Sequence, residues 1–411
     1  TVAPEQTATV TFTLALSAVH EEVTVTASLG TATAYEAFNA VKVVDSFELS
    51  KDMGSTIGDV LENQPGVAKR SFGAGNSRPI IRGFDGDRVL ILENGMRSGD
   101  LSSQSGDHGV SIDPAGLDRL EVVRGPATLL YGSNAIGGVV NAITPHEVFE
   151  TSPTKGVHGQ FVTDLGSANG QAGANGSIHV GRETWNYWAG GGSRRTGNYD
   201  TPLGPVEDSF SHLRNGKAGF GYNNGRTFFS FGVQAENGSY GIPFAGFFEG
   251  EADSHIQLDT ERQVVRADVG ARNLGGPLDN FKLILNYTRW RHNEIETVDG
   301  ERNLGTAFKN DVVGVRGEFT QRTVGRVSGK FGFSTEQDAF RDTVRRFFAD
   351  RSPTREVRRH MQTEAGWDPA LWHALNRELG LCAVRVPQAL GGHGFGFGEH
   401  CIVLEEMGRV L

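Results

Sequence analysis

Hydrophobic and polar positions alternate with period two along most of this chain, so the pattern predicts strands first. Over residues 8–16, Val10, Phe12, Leu14 and Leu16 share one face. One strand does not fold alone, so residues 1–20 read as the last strand of a small β domain. Residues 21–150 mix short strands (41–44, 89–92, 120–123 and 139–143) with a helix running from Thr56 to Asn63. Pro65-Gly66 stops that helix.

From 155 to 333 the character changes to strand-length runs at 156–164, 176–182, 185–191, 217–222, 227–236, 262–271, 281–291, 312–319 and 326–333. Asn223-Asn224-Gly225 and Asn273-Leu274-Gly275-Gly276 supply turns, while 196–212 and 237–260 read as long polar loops. Short turns at one end and long loops at the other predict an antiparallel transmembrane β-barrel. Alternation alone fits a soluble β-sandwich equally well. After residue 336 the period becomes helical. Phe340, Val344, Phe347 and Phe348 form one stripe, and Trp372, Leu375 and Leu379 a second between Asp368-Pro369 and Gly380. A third helix is expected over 399–407.

Composition narrows these choices. The chain has 56 Gly and 25 Phe but only 2 Cys in 411 residues, with mean hydropathy −0.32. That suits many short strands and turns. No stretch reaches the roughly 20 consecutive apolar residues of a spanning helix, which leaves barrel strands open. The net charge of −10 disfavours nucleic acid as a partner. Cys382 and Cys401 both fall in the tail, and the cysteine-free remainder suits an exported protein. The sequence starts at Thr1 without a leader, so any signal peptide is expected outside it.

Ordered motifs in 21–150 carry a family resemblance. They are Asp59-Val60-Leu61-Glu62-Asn63-Gln64-Pro65-Gly66-Val67, Pro79-Ile80-Ile81-Arg82-Gly83-Phe84, Arg88-Val89-Leu90-Ile91-Leu92-Glu93-Asn94-Gly95, Ile112-Asp113-Pro114, Leu120-Glu121-Val122-Val123-Arg124-Gly125-Pro126 and Leu130-Tyr131-Gly132-Ser133-Asn134-Ala135-Ile136-Gly137-Gly138. In this order they resemble the plug domain of TonB-dependent outer-membrane receptors. Ahead of them, Glu21, Glu22, Val23, Thr24, Val25, Thr26 and Ala27 resemble the box gripped by the TonB-type energy-transducing partner. Such an alternating segment can add to the sheet edge of another protein. The resemblance implies an outer-membrane location, lipid around the barrel, and gated uptake rather than catalysis. Arg82 and Arg124, with Glu93 and Glu121, are candidates for ion pairs that latch plug to wall or bridge plug strands.

Two further passages look closest to receptors associated with zinc uptake: Asn94-Gly95-Met96-Arg97-Ser98-Gly99-Asp100 leading to Asp107-His108, and Arg291-His292-Asn293-Glu294-Ile295-Glu296 followed by Thr306-Ala307-Phe308-Lys309-Asn310. Zinc takes imidazole nitrogen and carboxylate oxygen. Asp107, His108, His292, Glu294 and Glu296 are therefore the expected metal ligands, converging from plug and wall, with His255 a further candidate. The expected cargo is a metal ion, zinc favoured, or a metal chelate; haem or a siderophore stays open. No CxxC, HExxH or histidine run supports a closed structural site, and no permanently bound cofactor is expected.

The tail resembles another family. Phe340-Arg341-Asp342-Thr343-Val344-Arg345-Arg346-Phe347, Glu378-Leu379-Gly380-Leu381, Val386-Pro387, Gly391-Gly392-His393-Gly394 and Glu405-Glu406-Met407-Gly408-Arg409 look like the N-terminal helical domain of acyl-CoA dehydrogenases, flavin oxidoreductases of the cytoplasm. That family's flavin-binding and catalytic parts would follow Leu411, so FAD is not expected on this segment. The expected fold class is mixed: a truncated β element over 1–20, a box and α+β plug over 21–150, an incomplete transmembrane barrel over 151–335, and an all-α segment over 336–411. A composite joined near 335 accounts for two such different pieces.

Overall fold

The computed structural model describes residues 23–24, 32–33, 40–51, 54–103, 106–127, 131, 135–144, 155–244, 254–325, 327 and 329–338. Of the box, Val23 and Thr24 are described, paired with Thr33 and Ala32. The other five box residues, the strand expected in 1–20, the tail helices and both cysteines lie outside the described residues.

The α+β domain begins with β1 (Ala40–Asp45), α1 (Ser46–Lys51) and α2 (Ile57–Leu61). Thr56 caps α2 in a capping box with Asp59, satisfying N–H groups that the first turn leaves open. β2 (Val67–Gly73) and β3 (Asn76–Ile81) then form a hairpin. The strands β4 (Val89–Glu93), β5 (Met96–Arg97), β6 (Arg119–Arg124) and β7 (Gly138–Ile143) complete a five-stranded sheet of order β1-β6-β7-β4-β5. β4 and β7 run parallel, and the rest of the sheet is antiparallel. Ile57, Leu61, Ile81, Leu120 and Val140 are fully buried between sheet and helix. The four expected strands are all present. The β2–β3 hairpin is an addition, because its Lys69, Arg70 and Arg78 hide the strand pattern.

Among the described residues nine strands make the wall: β8 (Gly156–Gly166), β9 (Gln171–Arg182), β10 (Trp185–Thr196), β11 (Ser211–Asn223), β12 (Thr227–Ile242), β13 (Ser254–Ala271), β14 (Leu278–Val298), β15 (Glu301–Gln321) and β16 (Lys330–Asp338). Each pairs antiparallel with the next. The strands outrun the expected ones. Much of the loop expected over 237–260 is strand, because its apolar inward positions (Tyr240, Ile242, Ile256 and Leu258) come only in pairs among polar residues, too short a run to show a period of two. β16 likewise continues past residue 335, with Glu336 opposite Gly314.

The two faces of the wall settle the choice left open by alternation. Phe229, Val233, Val265, Val269, Leu285 and Val313 point outward and are exposed. The inward positions of the same strands hold Ser230, Glu236, Arg262, Arg266, Asp268 and Thr288, all buried. A soluble sandwich would put the apolar row inside. An outward apolar row around a polar interior is the surface of a barrel in lipid. Near the short turns Trp185 packs on Tyr222 at 5.2 Å and Phe319 on Phe331 at 5.2 Å, as an aromatic girdle would. Along β13 the outward side changes from Gln257, Asp259, Glu261 and Gln263 to Val265, Ala267 and Val269. The strands therefore rise beyond the apolar band on the long-loop side.

Candidate metal site

The α+β domain sits against the inward face of the wall. Arg262 is 2% exposed, and its guanidinium pairs with Glu93 of β4 and, at 3.0 Å, with Glu236 of β12. It also donates to the Ser98 carbonyl at 3.0 Å. Arg266 donates to the Asn94 carbonyl at 2.7 Å, and Arg316 to the Gly95 carbonyl at 3.4 Å. Glu93 thus ties the plug to the wall through a wall arginine, Arg262. The other expected latch residues act differently. Arg82 is exposed at a left-handed turn (φ 51°), Arg124 donates to the Pro65 carbonyl at 2.7 Å, and Glu121 pairs with Arg119 on its own strand at 2.9 Å. The sequence hint for Arg262 was its place at an inward position, in register with Arg266 and Asp268.

These anchors hold residues 98–103 and 106–113 under the long-loop end of β12–β15. Trp290 Nε1 donates to Ser111 Oγ at 3.2 Å, and Asn310 to the Gly99 carbonyl at 3.0 Å. His108 leaves this segment toward β14. On β14 the period of two puts Trp290, His292, Glu294 and Glu296 on the inward face. His108 Nε2 lies 3.2 Å from Glu294 Oε1, His292 Nε2 lies 3.7 Å from the same oxygen, and the imidazole centroids are 4.4 Å apart. Donor atoms of His108, His292 and Glu294 all fall within 4.8 Å of one another, the one such group among the described residues. Phe308 stands edge-on to both rings at 5.4 and 5.6 Å.

The hydrogen bonding of this trio is incomplete. His108 Nδ1 lies 3.3 Å from the Leu101 carbonyl, which accepts but cannot donate. The proton therefore belongs on Nδ1, and Nε2 turns a lone pair toward a carboxylate oxygen that also only accepts. Two acceptors at this distance need a positive species between them, a second proton or a metal ion. Burial pulls the His108 pKa down, but the hydrogen bond to Glu294 and the charges of Asp107 and Glu294 outweigh it, and the net shift is upward. His292 is fully buried, and neither ring nitrogen has a hydrogen-bond partner among the described residues. A tetrahedral zinc ion with bonds of about 2.0–2.1 Å sets its ligands roughly 3.4 Å apart. The 3.2 and 3.7 Å separations bracket that edge. Were a zinc ion held there, three protein ligands would leave its fourth position for water or another ligand.

Of the five expected ligands, the structure brings together three. Asp107 contributes charge, and its carbonyl accepts from Tyr240 at 3.2 Å, but its carboxylate is outside the group. Glu296 lies one inward step beyond Glu294 and is also outside it. His255 faces away, bonded to Asp208 at 2.7 Å. Trp290, Phe308 and Tyr240, which wall the site, were not singled out from the sequence. Inward aromatics on polar strands were the available sign.

Comparison with known proteins agrees with this architecture. Residues 33–139 match the family model described as TonB-dependent Receptor Plug Domain, and residues 334–411 match Acyl-CoA dehydrogenase, N-terminal domain. The vitamin B12 transporter BtuB of Vibrio vulnificus (strain CMCP6) is 37% identical over 112 residues, covering 26% of this chain and 18% of that protein. The hemin receptor of Yersinia pestis is 35% identical over 117 residues, covering 28% of this chain and 17% of that protein. The chain thus matches less than a fifth of the length of these curated relatives. Among solved structures, the copper transporter OprC superposes with TM-score 0.55 at 21% identity, covering 72% of this chain and 45% of that chain. The FrpB iron transporter from Neisseria meningitidis gives 0.58 at 13%, covering 72% and 48%. These likenesses carry the fold. The relatives are transporters and receptors, not enzymes, and the dehydrogenase match is confined to the tail. Residues 33–139 thus match a TonB-dependent receptor plug, and they lie against an antiparallel wall that shares the fold of these solved transporters.

Proposed function

We propose that this chain is the plug and part of the barrel of an outer-membrane receptor that imports a metal ion, zinc favoured, or a small metal chelate. The observation that carries the cargo is the His108–His292–Glu294 group: two buried imidazoles, one of them (His292) without a hydrogen-bond partner among the described residues, and one carboxylate oxygen 3.2 and 3.7 Å from their Nε2 atoms. Borderline-soft Zn²⁺ suits such a nitrogen and oxygen set, whereas hard cations prefer oxygen alone. Haem is a poorer fit, because imidazoles with centroids 4.4 Å apart leave no room for a macrocycle between them. Coupling to a TonB-type partner is assigned to residues 21–27, by strand addition. Zinc is cargo here, and no resident cofactor is proposed.

The test is a Zn²⁺ titration of the full chain in detergent, with His108→Ala and His292→Ala beside it. Saturable binding weakened by each variant supports the reading. Equal affinity in all three proteins removes the metal cargo. Zinc uptake into proteoliposomes would then test transport by the complete receptor.

The tail supports a second reading for its own segment. Its match to a dehydrogenase N-terminal domain leads us to propose a composite chain, joined near residue 335. Sequencing the source DNA across codons 330–340 tests this, and one uninterrupted native product would exclude misassembly. If the tail instead made the protein a flavin oxidoreductase, the purified chain would absorb near about 450 nm. A colourless chain is expected.

A further inference from the structure

Tyr240 stands on the inward face of β12, 5% exposed, and its phenol reaches across to the plug. Its oxygen accepts from the Gly109 N–H at 3.0 Å and donates to the Asp107 carbonyl at 3.2 Å. These are the peptide groups on either side of His108. A single wall hydroxyl therefore grips the backbone just before and just after the histidine that faces Glu294. The imidazole is held a third time, by the Leu101 carbonyl at 3.3 Å. With both flanking peptides and Nδ1 fixed, Nε2 has one direction left, and it points at the carboxylate.

Two glycines make the grip possible. A side chain on Gly75, at the tip of the β2–β3 hairpin, would run into Tyr240 Cβ. A Cβ on Gly109 would stand 2.7 Å from the Gly75 carbonyl and 3.6 Å from the Tyr240 hydroxyl. Bare backbone at both places lets the plug lie flat against the phenol. Tyr240 also packs with Ile242 and Leu258, so its ring is set by the wall and not by the plug.

We propose that Tyr240 is the positioning residue of the metal site: it touches no metal, yet it fixes His108 at the distance from His292 and Glu294 that binding requires. This rests on the reading of the trio as the cargo site. Residues that orient a metal ligand through a hydrogen bond typically change affinity 10–100-fold when removed.

The experiment uses the full chain in detergent and Zn²⁺ alone as the probe, comparing wild type, Tyr240→Phe, Gly75→Ala, Ser111→Ala and His108→Ala. Ser111→Ala is the control for lost plug–wall bonding. It removes the acceptor of Trp290, a wall bond to the same segment that does not flank His108. Tyr240→Phe is expected to weaken Zn²⁺ binding about 10–100-fold and to alter the visible spectrum of Co²⁺ bound in its place. Gly75→Ala is expected to weaken binding in the same direction by displacing the ring, and carries the test if Tyr240→Phe does not fold. Ser111→Ala should keep wild-type affinity and spectrum. Wild-type affinity in Tyr240→Phe would overturn the proposal, as would equal losses in Tyr240→Phe and Ser111→Ala. If wild type and His108→Ala bind Zn²⁺ equally, the cargo site itself fails and this inference falls with it. Zinc lost in His108→Ala but kept in Tyr240→Phe would sink the positioning role alone.

Discussion

The interior of the plug and the seam between plug and wall are both buried, but they are built from opposite materials. Ile57, Leu61, Ile81, Leu120 and Val140 fill the first. Arg262, Glu93, Glu236, Arg266 and Asp268 fill the second. Apolar packing is non-directional and costs a cavity wherever it is opened. Hydrogen bonds and ion pairs can be exchanged for water at little net cost. An apolar core is therefore harder to open than a seam of polar groups, whose bonds water can replace once the two surfaces separate. The His108–His292–Glu294 group lies in the seam, with His108 on the plug and the other two on the wall.

The contrast is broken most directly at Arg262. Arg262→Ala leaves Glu93 and Glu236 buried without their cation, and a loss of about 3–5 kcal/mol is expected in denaturant unfolding of the full chain. Replacing all three by apolar residues of similar volume should restore most of it. If the triple variant is as unstable as the single one, the seam depends on its charges in a way this account misses. Leu120→Ala tests the core, with about 2–5 kcal/mol lost and faster amide exchange across β4, β6 and β7 together. Exchange confined to one strand would mean the core is not one unit.

Zinc comes next in size. At a hundred times its dissociation constant a ligand of the folded state adds about 2.7 kcal/mol, so the melting temperature should rise with Zn²⁺ and return with a chelator. His292→Ala should abolish that rise. The smallest effect belongs to His255→Ala, where an exposed pair with Asp208 is removed: a change within about 0.5 kcal/mol and unaltered Zn²⁺ affinity.

Legibility followed the same division. Where one face of an element meets apolar surroundings the sequence shows it, so the strands at 41–44, 89–92 and 120–123 and the lipid-facing stretch of β12 were all readable. Where the apolar positions are few it does not. Residues 254–260 read as loop and are strand, because only Ile256 and Leu258 are apolar there, set among Ser254, His255, Gln257, Asp259 and Thr260. The latch was half readable: Glu93 could be named, but its partner lies 169 residues away on another body.

The sequence by itself determined the plug, through ordered motifs that each meet a local need of turn, cap or core, and it supplied His108, His292 and Glu294 as candidate ligands. Only the tertiary structure decided which candidates meet. Asp107 and Glu296 have the same chemistry, but the Asp107 carboxylate lies outside the group and Glu296 stands one inward step too far along its strand. Ligand type is a local property of the chain. Convergence across 186 residues is set by how the plug lies against the wall.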